Sequence, residues 1–104
     1  MDILINSDNH VEADQATKDF YKEELQNSLK RFDEYVTRFE VFFSDEASNK
    51  EVEGDQKCVI EARMKGRNPE RVSCNGSTQK AAFDGAVDKI KVMLGKTVEK
   101  QRGY

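Results

Sequence analysis

The chain has 104 residues but only two cysteines, one histidine and one proline, and these shortages close off several chemistries. Two cysteines are too few for a disulfide-stapled scaffold. With a single histidine, His10, they also cannot assemble a zinc site of the usual ligand spacing. Cys58 and Cys74 therefore read as buried free thiols. No apolar run reaches the roughly eighteen residues of a membrane span. The opening MDILINSDNH lacks the basic start and apolar stretch of a secretory signal, so a cytoplasmic protein is expected. There is no glycine-rich phosphate loop and no nucleophile beside a base. Asp84 and Asp88 lie one helical turn apart, but no third ligand joins their face. Asp84 is expected to cap its helix, to pair with Lys80 or with the neighbours of Asp88, or to position the helix. Neither a metal nor a cofactor is predicted, and the chain is not expected to be an enzyme.

Charge is plentiful and unevenly placed. Residues 1–55 hold 6 Lys and Arg against 15 Asp and Glu; residues 56–104 hold 11 against 5. The net charge thus swings from −9 to +6 within a chain whose total is −3. Such asymmetry points to a polyanionic partner, although a merely solvated surface would also carry mixed charge. Within the basic half, Arg63, Lys65, Arg67 and Arg71 crowd into nine residues around Gly66-Arg67-Asn68-Pro69.

The pattern of apolar residues reads as β-α-β-β-β-α. DILIN, residues 2–6, is a short strand, and Asp8-Asn9 a break. From about Asp14, a fair N-cap, to Phe32 the apolar residues Tyr21, Leu25, Leu29 and Phe32 follow Thr17 at helical spacing, with Ala16 and Phe20 alongside. In TRFEVFFSD the period becomes two: Phe39, Val41 and Phe43 point one way, Arg38, Glu40 and Phe42 the other. Residues 44–56 form an acidic hairpin loop, expected to be exposed and mobile. KCVIEARMK is the clearest strand, with Cys58, Ile60, Ala62 and Met64 on one side. After the turn at 66–69, RVSCN returns with Val72 and Cys74 inward. Ser77 or Thr78 caps a last helix whose stripe is Phe83, Ala86, Val87, Ile90, Leu94 and Val98, and Gly103 would end it.

These elements predict one α+β domain over residues 1–104. Its four-stranded mixed sheet has strands 1 and 2 parallel, the rest antiparallel, and both helices on one face. Ile3, Ile5, Phe32, Phe39, Val41, Phe43, Ile60, Phe83, Val87, Ile90 and Leu94 form the expected core. The other face stays open and carries Arg63, Lys65 and Arg71. Phe42 and Val59 also lie there, either as cross-strand neighbours or as a platform for a base. A turn centred near Arg67 or Asn68 would set Cys74 opposite Ile60 or Ala62. Cys58 and Cys74 would then share a face without facing each other, and their thiols would stay reduced.

Several segments, in order along nearly the whole chain, resemble the family of ribosome hibernation-promoting factors and ribosome-associated inhibitors, the short ribosomal subunit interface proteins. They are His10-Val11-Glu12, Arg31-Phe32-Asp33 followed by Thr37-Arg38-Phe39-Glu40-Val41, Ser44-Asp45-Glu46, Glu61-Ala62-Arg63, Gly66-Arg67-Asn68-Pro69, and Ala81-Ala82-Phe83-Asp84-Gly85-Ala86-Val87-Asp88-Lys89-Ile90. The resemblance implies a protein that binds the small ribosomal subunit and its rRNA between head and body. It would overlap messenger and the A- and P-site tRNAs and hold idle ribosomes inactive under stress or in stationary phase. It also implies that basic side chains of the sheet face and final helix meet rRNA phosphates. Two positions depart from the family pattern: Lys80 stands where a tyrosine is common, and Val92 where an arginine is common. The chain ends at Tyr104, where long members continue into a dimerisation domain. A short form is therefore expected, monomeric off the ribosome and unable to dimerise ribosomes by itself. The alternative is a non-ribosomal RNA-binding module or a protein-interaction domain of similar fold.

An RNA partner accounts for the clustered cations, because Lys and Arg replace the counterions of closely spaced phosphates. Arg63, Lys65, Arg67 and Arg71 would form one edge of the surface. Lys89, Lys91, Lys96, Lys100 and Arg102 would form the other, with Lys89, Lys96 and Lys100 on one helical face. The acidic first half would face away from RNA. For any one of these lysines taken alone, ordinary solvation of a polar face would suffice.

Overall fold

A computed structural model describes residues 1–7, 14–45 and 56–101. The chain runs β1 (Asp2–Ser7), α1 (Gln15–Ser28), a single 3-10 turn (Lys30–Phe32), β2 (Val36–Asp45), β3 (Gln56–Met64), β4 (Glu70–Gly76) and α2 (Gln79–Gln101). The sheet order is β1-β2-β3-β4, with β1 and β2 parallel and the other two pairs antiparallel. Most of the expected loop at 44–56 lies outside the described residues, as do Asp8-Asn9, His10-Val11-Glu12, Arg102 and Gly103. Ser44 and Asp45 belong to β2 and Gln56 to β3.

Local chemistry explains the element ends. Asp14 accepts a hydrogen bond from the Thr17 amide at 2.8 Å and caps α1. That bond, made to the ionised carboxylate, holds the Asp14 pKa below its ordinary value. The Ala81 amide donates to the Thr78 hydroxyl at 3.0 Å and starts α2. The α-helix of α1 ends at Ser28, earlier than periodicity predicts; the 3-10 turn then carries Phe32 on into the core.

Alternation along the strands builds one apolar face. Phe39, Val41 and Phe43 of β2 lie opposite Ala62, Ile60 and Cys58 of β3, and Ile60 lies opposite Val72 of β4. Both helices cover this face. Tyr21 of α1 packs its ring 4.8 Å from Phe43 and 4.7 Å from Phe83 of α2. Phe39 and Phe83 belong to one buried cluster. Ile3 is only partly buried at its margin, while Ala16 and Phe20 of α1 are exposed.

The β3–β4 hairpin corrects the predicted register. The Arg67 amide donates to the Met64 carbonyl at 3.3 Å, and Gly66 takes φ +74°. The reversal is therefore made over Met64–Arg67, where glycine tolerates the left-handed backbone. The pairing is centred on Gly66, not on Arg67 or Asn68, and Cys58 stands directly opposite Cys74. Both are free thiols. Cys58 is buried, and that burial, with Cys74 as a smaller contribution, pushes its pKa up to about 12. Cys74 is only partly buried, which also corrects the expectation of two buried thiols.

Candidate nucleic-acid interface

The open face of the sheet brings its cations against carboxylates. Arg63 sits near the end of β3, with Glu61 two residues before it and Glu40 on the neighbouring strand. Its guanidinium lies 3.0 Å from Glu61 and 3.5 Å from Glu40, and Arg38 lies 3.0 Å from Glu40. Glu61, then Glu40, hold the Arg63 pKa above its ordinary value. Arg71 extends the same row from β4, its Cα paired with Glu61. Phe42 stands opposite Val59, and Val59 is buried although it lies on the uncovered face.

The other basic region lies where α2 crosses the free edge of β4. The points of approach show that α2 runs antiparallel to that strand. A Cβ on Gly85 would overlap the Cys74 sulfur, so only glycine permits this approach. Lys89 Nζ donates to the Ser73 carbonyl at 2.8 Å. The Thr97 hydroxyl, buried, donates to Glu70 Oε1. This direction brings the later part of α2, where Lys96 and Lys100 flank Thr97, to Glu70 at the start of β4. Exposed Arg67 lines a polar groove there with Gly66, Asn68 and Glu70. Exposed Lys65 falls in the same turn, beyond the end of β3 rather than on the sheet face.

Seven residues are about 20° short of two full helical turns, so Lys89 and Lys96 project from one side of α2, with Lys100 close beside them. Lys91, two residues on from Lys89, is rotated by about 200° and points to the other side of the helix; it is half-buried. The structure thus lines one groove with Lys89 and Lys96, carries Lys100 one turn further along the same side of α2, and sets Arg67 in a second groove beside Glu70, the residue that Thr97 of α2 meets. It does not bring Lys91 to that side of α2. Among the described residues, Lys89, Lys96 and Lys100 form no ion pair, whereas Lys80 holds Asp84 at 2.7 Å.

Sequence alternation could have placed Glu61 beside Arg63; the role of Glu40 needed the β2–β3 register. Nothing in the sequence marked Ser73 or the pairing of Glu70 with Thr97. Among the described residues no three His, Cys, Asp or Glu side chains converge as a metal site requires, and no helix is long and apolar enough to cross a membrane. The arrangement offers hydrogen-bond donors and positive charge along an exposed rim, the equipment for holding anionic groups.

The family model described as "Sigma 54 modulation protein / S30EA ribosomal protein" matches residues 4–102. A search of curated protein sequences finds no match. Among solved structures, a ribosomal subunit interface protein from Coxiella burnetii superposes with a TM-score of 0.78 at 11% identity, over 95% of this chain and 99% of that one. The N-terminal domain of Protein Y from Thermus thermophilus superposes with a TM-score of 0.71 at 23% identity, over 93% of this chain and 99% of that one.

Proposed function

Because the chain belongs to the Sigma 54 modulation protein / S30EA ribosomal protein family, we propose that it binds the small ribosomal subunit through rRNA and inactivates translation by occupancy. The observation that carries this reading is the row Lys89, Lys96 and Lys100 on one exposed side of α2, which forms no ion pair among the described residues. Lys89, Lys96, Lys100, Arg67 and Arg71 make the principal phosphate contacts. Lys65 supports them from the turn and Arg63 contributes from the margin, while Lys91, on the other side of α2, lies off this row. Residues 1–104 act as one ribosome-binding unit, in the cytoplasm and monomeric when released. Bound in the channel of messenger and tRNA, the domain excludes both and keeps idle ribosomes inactive during stress or stationary phase. It needs neither cofactor nor turnover, since blocking is a matter of mass action.

Sedimentation of a cell lysate through a sucrose gradient tests the reading. The protein should travel with the small subunit or the whole ribosome, most strongly in starved cells. Finding it only at the top of the gradient under starvation would favour a non-ribosomal RNA-binding or protein-interaction role. In a translation assay the inhibition should be stoichiometric, and excess messenger and initiator tRNA should relieve it. Inactivation that outlasts removal of the protein would contradict occupancy.

A further inference from the structure

Beside the lysine row, β4 and α2 leave a groove of about 620 Å³ lined by Val72, Asp88, Lys89, Val92, Met93 and Lys96. Its floor is aliphatic and thioether. Val92 is 60% exposed, the most exposed of the large apolar side chains among the described residues. Charge enters it from α2, through Lys89 and Lys96 two turns apart and Asp88 beside Lys89. An apolar cleft between cations suits a ligand that is flat and apolar in one part and anionic in the next.

We infer that this groove is a subsite for one unstacked nucleobase of single-stranded RNA, and that Asp88 favours a base carrying an exocyclic amino group. The inference rests on the RNA-binding reading and adds the class of nucleotide recognised. A base ring lies well on Val72 and Val92, and the Met93 sulfur adds a favourable contact with an aromatic face. Lys96 and Lys89 reach the flanking phosphates; Lys89 gives one donor to Ser73 and keeps two. The Asp88 carboxylate only accepts hydrogen bonds, so it pairs with the exocyclic amino group of cytosine, adenine or guanine, whereas uracil offers it only the single N3–H, flanked by two carbonyl oxygens that repel the carboxylate. A peptide strand is a poorer occupant, because adding to the β4 edge requires the Ser73 carbonyl that Lys89 already holds.

The test uses the whole chain and labelled ribonucleotide hexamers read by fluorescence anisotropy at low salt: oligo(C), oligo(A), oligo(U) and an abasic ribose-phosphate hexamer. Oligo(C) and oligo(A) should bind roughly tenfold more tightly than the abasic hexamer, with oligo(U) between them. Val92→Gln, a neutral change at an exposed position, should remove most of that advantage and leave abasic binding unchanged. Asp88→Asn supplies a donor and should erase the preference over oligo(U). Equal, salt-sensitive binding of base-bearing and abasic hexamers would overturn the base subsite while leaving the phosphate reading intact. Failure of every hexamer to bind would overturn both. Val92→Gln that weakens sedimentation with ribosomes but alters no hexamer affinity would assign the groove to a protein partner and overturn the inference.

Discussion

On the open face of the sheet, Arg38 and Arg63 lie against Glu40 and Glu61; where α2 crosses β4, Lys89, Lys96 and Lys100 meet no carboxylate among the described residues. Both regions are rich in cations, yet they differ in what a polyanion would find. A phosphate arriving at Arg63 must displace Glu61 and approach two negative charges. At the α2–β4 rim Lys89, Lys96 and Lys100 hold no ion pair that must be broken, so a phosphate displaces chiefly water and counterions, whose release favours binding, with Asp88 lining the same groove. Exposed ion pairs stabilise by at most about 1 kcal/mol, so the carboxylates matter less for holding the fold than for neutralising the open-face charge. Counting cations along the chain ranks the two regions equally; their partners separate them.

Removing the anchor of α2 should disrupt this contrast most. Phe83 packs against Tyr21 and, at 6.2 Å, against Phe43. Phe83→Ala should cost about 3–5 kcal/mol in denaturant unfolding and weaken RNA binding only in proportion to the fraction of protein that unfolds. Phe39→Ala, buried in the same cluster, should cost a similar amount. A loss below about 1 kcal/mol for either would show that the helix–sheet core is not packed as described.

Charge reversal probes the rim itself. Lys89→Glu with Lys96→Glu should weaken ribosome binding on the order of a hundredfold, while loss of the Lys89–Ser73 hydrogen bond costs the fold only about 1 kcal/mol, since both side chains lie off the apolar stripe. The slope of log affinity against log salt should flatten by roughly 0.7–0.9 for each phosphate that the variant no longer engages. An unchanged slope would remove this rim from the interface.

The seat of α2 on β4 allows a test by change of sign. Gly85→Ala should destabilise by about 1 kcal/mol or more, because the new methyl meets Cys74. With Cys74→Ala in place, the same substitution should stabilise by up to about 1 kcal/mol, the ordinary advantage of alanine over glycine within a helix. Equal effects in both backgrounds would mean that Cys74 is not what limits the approach.

Smaller effects sharpen the contrast from the other side. Arg63→Ala should change stability by less than about 1 kcal/mol and ribosome affinity by less than either single reversal at Lys89 or Lys96. Smallest of all should be Lys18→Glu with Lys22→Glu on α1, which measures the general response to reversed charge. If this pair weakens binding as much as the α2 pair, the RNA-facing surface lies elsewhere.

Much of the architecture is legible in the sequence. Element order, the inward faces of β2 and β3, the Asp14 cap and the α2 stripe all follow from spacing within one segment. A strand repeats every two residues and a helix every 3.6, so neighbours in sequence report their shared face directly. The cationic cluster is legible for the same reason, since it is dense along the chain. Pairings between segments depended on the tertiary structure. A shift of one residue in the centre of a hairpin moves every cross-strand partner by two; hence alternation placed both cysteines on the inner face, while only the Gly66 turn set Cys58 opposite Cys74. The carboxylate Glu40 beside Arg63, the hold of Lys89 on Ser73 and the groove over Val92 likewise arise where separate elements meet. Local periodicity assigns each residue a face, but the distance between two faces is set by how the whole chain packs.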